Sequence, residues 1–262
     1  MSNSARNAES RGSGNNGGTG RGGRAALVIG ATGGIGAALV EHWCADSAID
    51  RVIAIRRDGA AEIHAPHDVW QLATDYSEAG IADCLTEVLE SATHVARVAV
   101  AIGTLHGADY QPEKSLDGLN EAALAEVYRV NCILPMLWVA ALARALRRTP
   151  DSRIAVLSAR VGSIGDNRLG GWYGYRSAKA ALNMGLRSAA IEVARRSPGI
   201  KLVAYHPGTV DTALSKPFQR NVPAEKLFTP AFTAARLAAL LDEHAPDGEL
   251  SYLAWDGSVV PW

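Results

Sequence analysis

At 262 residues the chain is long for one ordinary domain, yet α/β folds reach this size as a single unit. Hydrophobic residues make up 48% and charged residues 20%, enough for a packed core and too apolar for wholesale disorder. Lys plus Arg number 26 against 27 Asp plus Glu, so the net charge of -1 exerts no global pull toward nucleic acid or an anionic membrane, and neither is expected as a partner.

The first 24 residues hold seven glycines among Ser, Asn and Arg, bury too little to offset the entropy of ordering, and read as a disordered tail. This tail lacks the apolar run of a secretory signal, Glu9 and the absence of an amphipathic pattern argue against a transit peptide, and the Arg21-Gly22-Gly23 run lacks the aromatic platforms of an RNA binder. No uninterrupted apolar stretch approaches the roughly 18 to 20 residues of a membrane span. Cys44, Cys84 and Cys132 are odd in number without CxxC spacing, so neither a disulfide framework nor a metal cluster is expected. A soluble, cytoplasmic protein is the expectation.

From Ala25 onward, short aliphatic runs alternate with segments of helical period, the pattern of βαβ units. Strands are predicted over 25–30, 51–56, 69–74, 95–101, 153–158, 200–205 and 249–254, and helices over 34–46, 78–91, 119–148, 172–197 and 229–244. The strands are near-continuously apolar, as expected when helices cover both faces of a sheet. Residues 25–262 therefore read as one α/β domain, a doubly wound parallel sheet of about seven strands.

Gly30-Ala31-Thr32-Gly33-Gly34-Ile35-Gly36 follows the first strand and opens a helix with Ala38, Leu39 and Trp43 on its apolar side. Unpaired N–H groups and the helix dipole make such a junction an anion site, and glycine lets a pyrophosphate approach the backbone; a merely tight turn is the plainer alternative. The second strand ends Ile55-Arg56-Arg57, with no carboxylate where NAD sites bind the ribose 2′-hydroxyl, and arginine suits a 2′-phosphate. NADP(H) is thereby favoured over NAD(H), with Asp58 still within reach of a ribose if the turn is shifted.

Asn131 lies inside the 119–148 helix four residues before Pro135, which has no N–H for the Asn131 carbonyl, so a bend with a free carbonyl is expected there. Ser158 closes the fifth strand, at the carboxyl edge where open α/β sheets bind ligands. Tyr175 and Lys179 stand one turn apart on one helix face, and a neighbouring ammonium is expected to lower the phenol pKa toward the working range. Leu105, His106, Gly165, Trp172 and Tyr173 are the expected pocket lining, with 213–228 as a possible lid.

Together these residues resemble the short-chain dehydrogenase/reductase family over residues 25–262. Its Thr-Gly-xxx-Gly-x-Gly is similar to Gly30, Gly34 and Gly36, with Ile29 in place of the Thr; its Asn, Ser, Tyr and Lys to Asn131, Ser158, Tyr175 and Lys179; its late Pro-Gly-x-Val-x-Thr to Pro207, Gly208, Val210 and Thr212. The closing Trp255-Asp256-Gly257 and Pro261-Trp262 resemble the C-factor-like branch. The family's Asn-Asn-Ala-Gly is replaced by Val100-Ala101-Ile102-Gly103, which keeps only the glycine.

The resemblance implies a Rossmann-like fold and a hydride-transferring carbonyl reductase or alcohol dehydrogenase acting on a small, apolar carbonyl or alcohol. It implies a nucleotide held by Thr32, Gly33, Gly34, Ile35, Gly36, Asp75 (at the adenine), Gly103 and the Pro207–Thr212 motif. Ser158 would orient the substrate, Tyr175 move the proton, Lys179 hold the ribose and Asn131 anchor a water. A homodimer or homotetramer paired through the 119–148 and 172–197 helices is implied as well. The alternative is a nucleotide-bound signalling or regulatory protein with vestigial catalysis.

Overall fold

The computed structural model describes residues 23–61, 63, 69–92 and 94–262. The predicted tail lies outside these residues up to residue 22, whereas Arg24 already opens the first strand, its N–H donating to Asp50 Oδ2 at 2.7 Å. The strands are β1 (Arg24–Ile29), β2 (Arg51–Arg57), β3 (Trp70–Thr74), β4 (His94–Val100), β5 (Ser152–Leu157), β6 (Ile200–His206), β7 (Thr209–Val210), β8 (Leu227–Phe228) and β9 (Leu250–Ala254). The helices are α1 (Gly34–Cys44), α2 (Glu78–Ser91), α3 (Glu121–Tyr128), α4 (Leu134–Ala145), α5 (Tyr173–Arg196) and α6 (Pro230–Glu243).

Seven strands of the described residues form one sheet in the order β3-β2-β1-β4-β5-β6-β9, every neighbouring pair parallel. This is the Rossmann-like doubly wound fold, and each strand lies within one residue of its predicted bounds. Alternation along β1 divides the interior in two. Ala25, Leu27 and Ile29 join the core built with α2, α4 and α5, around Ile81, Trp138, Leu142, Leu182 and Leu186. Ala26 and Val28 join the opposite core built with α1 and α6, around Leu39, Trp43, Leu237 and Leu241. The short β7–β8 ladder was not predicted; two-residue strands carry no periodicity to read.

The predicted 119–148 helix is α3 and α4 joined by a π-helical turn, Arg129–Ile133, so the chain runs on rather than breaking at Pro135. A wider turn absorbs the missing proline N–H. Taken as one helix, Glu121–Ala145 has 25 residues and a stretch of mean hydropathy 1.3, which is long and apolar enough to cross a membrane by length and composition alone. The sequence reading, which looked for unbroken apolar runs, missed it. Here Trp138, Val139 and Leu142 of this helix are buried in the core.

Candidate active site

Gly30 has φ +82, a left-handed backbone that glycine adopts without strain, and the N–H groups of Gly30 and Ala31 donate to the Ile55 carbonyl at 2.9 and 3.1 Å. The chain then turns into α1, with Gly33 as an N-cap that offers no side-chain acceptor and no acid in the first turn. In α2, α3 and α6 the corresponding amides are met by Ser77, Asn120 and Thr229. The amides of Gly34, Ile35 and Gly36 thus open α1 without a side-chain cap, with the positive end of the dipole behind them. A Cβ on Gly36 would stand 2.3 Å from the Gly30 carbonyl oxygen, and one on Gly34 would stand 2.7 Å from Thr212 Cγ2. Only glycines let the turn close and the loop after β6 settle on it.

A cavity of about 520 Å³ opens at the carboxyl edge of the strands. Gly33–Gly36 bound it on one side and Ser158, Tyr175 and Lys179 on the other; Gly103 and residues of the Pro207–Thr212 motif, namely Pro207, Gly208, Val210 and Thr212, complete the wall. Leu105 and Trp172 line it as expected, whereas His106, Gly165 and Tyr173 do not. His106 packs its ring against Phe218 instead, and the Gly165 N–H donates to the Trp262 carbonyl at 2.8 Å. Leu214, Phe218 and Val222, from the predicted lid, are in the wall. Thr32 is exposed and outside the lining.

Asn131 is fully buried and its side chain is saturated. Nδ2 donates to Thr104 O and Val127 O (2.8 and 2.9 Å), and Oδ1 accepts from Thr104 N at 3.1 Å. It clamps the turn after β4 that presents Gly103, and a Cβ on Gly103 would lie 3.3 Å from Asn131 Oδ1 and 3.9 Å from Lys179 Nζ. Lys179 is 2% exposed, donates to Leu157 O at 2.8 Å and sits 5.8 Å from the centroid of the Tyr175 ring.

This arrangement corrects the electrostatic expectation for the pair. Burial pushes the Tyr175 phenol up to about 12, with nearby Tyr252 adding to the rise, and burial pulls the Lys179 amine down to about 7. The spacing delivered the neighbours, but burial is the leading cause of both shifts. At neutral pH the Tyr175 phenol is therefore protonated.

The Ser158 hydroxyl donates to Asn183 Oδ1 at 2.6 Å, with both residues buried. Asn183 was not singled out in the sequence, although it stands four residues beyond Lys179 and eight beyond Tyr175, on the same face of α5. Behind the serine, Tyr252 donates to Ala159 O at 2.7 Å. His206, also unpredicted, lines the cavity, and burial, with Arg160 nearby, holds its imidazole down at about 4.

The remaining predicted contacts lie apart from the cavity. Arg56 Nη1 donates to Ala60 O at 2.7 Å, and Arg57 is exposed at the end of β2. Asp75 is exposed just past the paired residues Arg57 and Thr74, its carboxylate accepts from Ser77 N at 2.8 Å, and the Ser77 hydroxyl first and this N–H second hold its pKa low.

Residues 24–223 match the family model described as short chain dehydrogenase. The chain belongs to the short-chain dehydrogenase family. The chain is 30% identical over 148 residues to C-signal of Myxococcus xanthus, a match covering 56% of this chain and 84% of that protein, in keeping with the C-factor-like branch. It is 27% identical over 249 residues to 1-hydroxy-2-glutathionyl-2-methyl-3-butene dehydrogenase of Rhodococcus sp. (strain AD45), covering 90% of this chain and 98% of that one. Its fold is similar to that of the NADPH-bound carbonyl reductase from chicken fatty liver, with TM-score 0.78, 24% identity and coverage of 92% of this chain and 94% of the other.

Proposed function

We propose that the protein is an NADP(H)-dependent oxidoreductase of the carbonyl reductase or alcohol dehydrogenase type, acting on a small apolar carbonyl or alcohol. The observation that carries this reading is the single cavity bounded by both the glycine turn and the Ser158, Tyr175 and Lys179 side chains. The residues fit a dinucleotide, since the uncapped first turn of α1 suits a pyrophosphate and the glycines leave no Cβ in its way. A bound nicotinamide would supply or accept the hydride.

Gly33, Gly34, Ile35 and Gly36 would hold the pyrophosphate, with Thr32 at the turn's outer rim. Gly103 and the Pro207, Gly208, Val210 and Thr212 stretch would flank the nicotinamide end, and Lys179 would hold its ribose. Arg57, with Arg56 behind it, would meet a 2′-phosphate, and Asp75 the adenine, beyond the cavity proper. Tyr175, neutral at working pH, would give the proton to a substrate oxygen that Ser158 orients. Asn131 would keep Gly103 and the Lys179 amine in register and, through its backbone carbonyl, anchor the water by which the proton is replaced. The similar chicken reductase is bound to NADPH and a similar short-chain dehydrogenase/reductase of Burkholderia multivorans is bound to NADP, which supports the cofactor preference. The apolar groove between α4 and α5, floored by Met136, Leu137, Ala140, Gly185 and Ala189, would pair with its own copy across a two-fold axis.

Fluorescence titration with NADPH and NADH, followed by absorbance assays over a panel of carbonyls and alcohols, tests the reading. NADPH is expected to bind more tightly and to be consumed with apolar carbonyls; tighter NADH binding overturns the cofactor assignment. Nucleotide binding with no turnover anywhere in the panel selects the second reading, a signalling or regulatory protein, which the likeness to C-signal favours.

The Ser158–Asn183 bond adds a sharper test. Without Asn183 the serine hydroxyl loses the acceptor that orients it, so Asn183→Leu is expected to lower kcat/KM about tenfold, the worth of one hydrogen bond to an oriented group. Nucleotide affinity should not change, and Asn183→Gln or Asn183→Asp should recover part of the loss. A kcat/KM equal to wild type would mean that Ser158 needs no such support.

A further inference from the structure

Trp172 stands at the N-cap of α5 with φ +52 and ψ +42, a left-handed conformation that bulky side chains rarely adopt. It ends a run of three residues at positive φ, of which the first two, Gly170 and Gly171, carry no Cβ and no strain. Glycine would be the unstrained choice at the third position as well. Instead a tryptophan is forced into the conformation by Glu113, a buried carboxylate from the loop after β4. The Trp172 N–H donates to the Glu113 backbone carbonyl at 2.6 Å, and Glu113 Oε2 accepts from Gly174 N at 3.1 Å, supplying in trans the cap that α5 lacks from its own sequence. Backbone strain that the surroundings over-determine marks a side chain whose position matters.

That side chain is in the cavity wall, where its indole meets two other rings edge to face: Tyr175 at 6.4 Å and 73°, and Phe218 at 5.3 Å and 63°. Aliphatic residues such as Leu105, Val161 and Val222 line the same cavity with no backbone strain, so apolar lining alone does not call for a tryptophan here. What the strained position adds is an aromatic corner beside the reacting phenol. Rings meeting edge to face offer a further flat ring the offset or edge-on contacts that π systems prefer and that saturated rings cannot match.

We infer that Trp172, held by Glu113 and joined by Phe218, is a specificity-determining residue for substrates that carry a planar aromatic ring next to the carbonyl or carbinol carbon. The inference rests on the oxidoreductase reading and narrows its substrate class. Glu113 acts through Trp172 as a positioning residue.

Acetophenone and cyclohexyl methyl ketone differ in having a flat or a saturated ring on the same carbonyl, and their dissociation constants from the full chain can be compared by ligand-observed NMR. The measurement is made with NADP+, which has no hydride to give, and again without it. Acetophenone is expected to bind about fivefold more tightly, the size of one aromatic contact. Trp172→Leu should bring the two ketones level, Trp172→Phe should keep part of the preference, and Glu113→Ala should erode it; NADP+ affinity should stay at the wild-type value in all three. Phe218→Leu, which touches the Trp172 ring but leaves the backbone of the strained turn unaltered, should halve the preference even if the Trp172 variants fold poorly. Equal affinities in the wild type, a preference that survives in Trp172→Leu, or no binding of either ketone up to its solubility limit would overturn the assignment. Loss of the cofactor reading shows separately, as a chain that does not bind NADP+ at all, while the nucleotide-free ketone ratio still decides the aromatic corner.

Discussion

Replacing Tyr175 with phenylalanine is expected to lower turnover by at least 10²-fold, the contribution of a positioned general acid. The substitution removes one hydroxyl and nothing else. The ring would keep its contact with Trp172 and its place under Lys179 Nζ, so the wall of the cavity and its grip on a nucleotide should survive. The direction of the phenol pKa makes the expectation specific. Because burial holds it near 12, the hydroxyl keeps its proton at neutral pH and would enter the proposed reaction as an acid. Steady-state rates on any substrate from the carbonyl panel, measured beside nucleotide affinity, check this; a variant within a few-fold of wild type would remove Tyr175 from the chemistry.

Lys179→Met should be inert and also more stable than the parent. The amine titrates at about 7 in the fold against 10.5 as its ordinary value, so the unfolded chain binds the proton more tightly. At pH 7 that difference costs the fold about 4 kcal/mol. Methionine has a similar length and no charge to desolvate, and the lost bond to Leu157 O returns about 1–3 kcal/mol of cost. The net gain of about 1–3 kcal/mol corresponds to a Tm rise of roughly 3–8 °C for a chain of this size. The sign with pH follows from the same linkage. A depressed amine makes wild-type stability climb as pH rises from about 7 to 10.5, so the variant's advantage should be nearly full at pH 7 and gone or reversed at pH 10, where the amine costs only about 1 kcal/mol and the lost bond still costs about 1–3 kcal/mol. Thermal unfolding of both proteins at the two pH values reads this directly, and an equal gap at both, or no gap at pH 7, would show that the buried amine is not the burden described.

The strands were legible because burial on both faces demands unbroken aliphatic runs, and Ala-Leu-Val-Ile or Ile-Ala-Val-Leu admits few other readings. Gly30, Ser158, Tyr175 and Lys179 were legible because their places at strand ends and on one helix turn already imply proximity. What the sequence withheld is tertiary. The pKa of Tyr175 is raised first by burial and then by nearby Tyr252, and no local spacing encodes either, so the direction of its shift was misjudged. Glu113 reaches Gly174 across 61 residues, and Phe218 meets Trp172 across 46, so neither contact leaves a local signature. Gly165 and His106 sit near the cavity in sequence but are drawn off by Trp262 and Phe218. Among the missed residues Asn183 and His206 carried a readable signal, the one its i+4 step beyond Lys179, the other its place at the carboxyl end of β6.

The sheet keeps its two cores apart, and the site straddles them. The glycine turn belongs to α1, which is seated on the α1–α6 side, while Tyr175, Lys179 and Asn183 ride on α5, seated on the other. Packing defects introduced on opposite faces share Trp255 as a packing partner, and away from that side chain their costs should simply add. The shape of the glycine turn and the setting of the α5 side chains are thereby separately tunable traits, and a lineage or a designer can retune either one without first dismantling its counterpart.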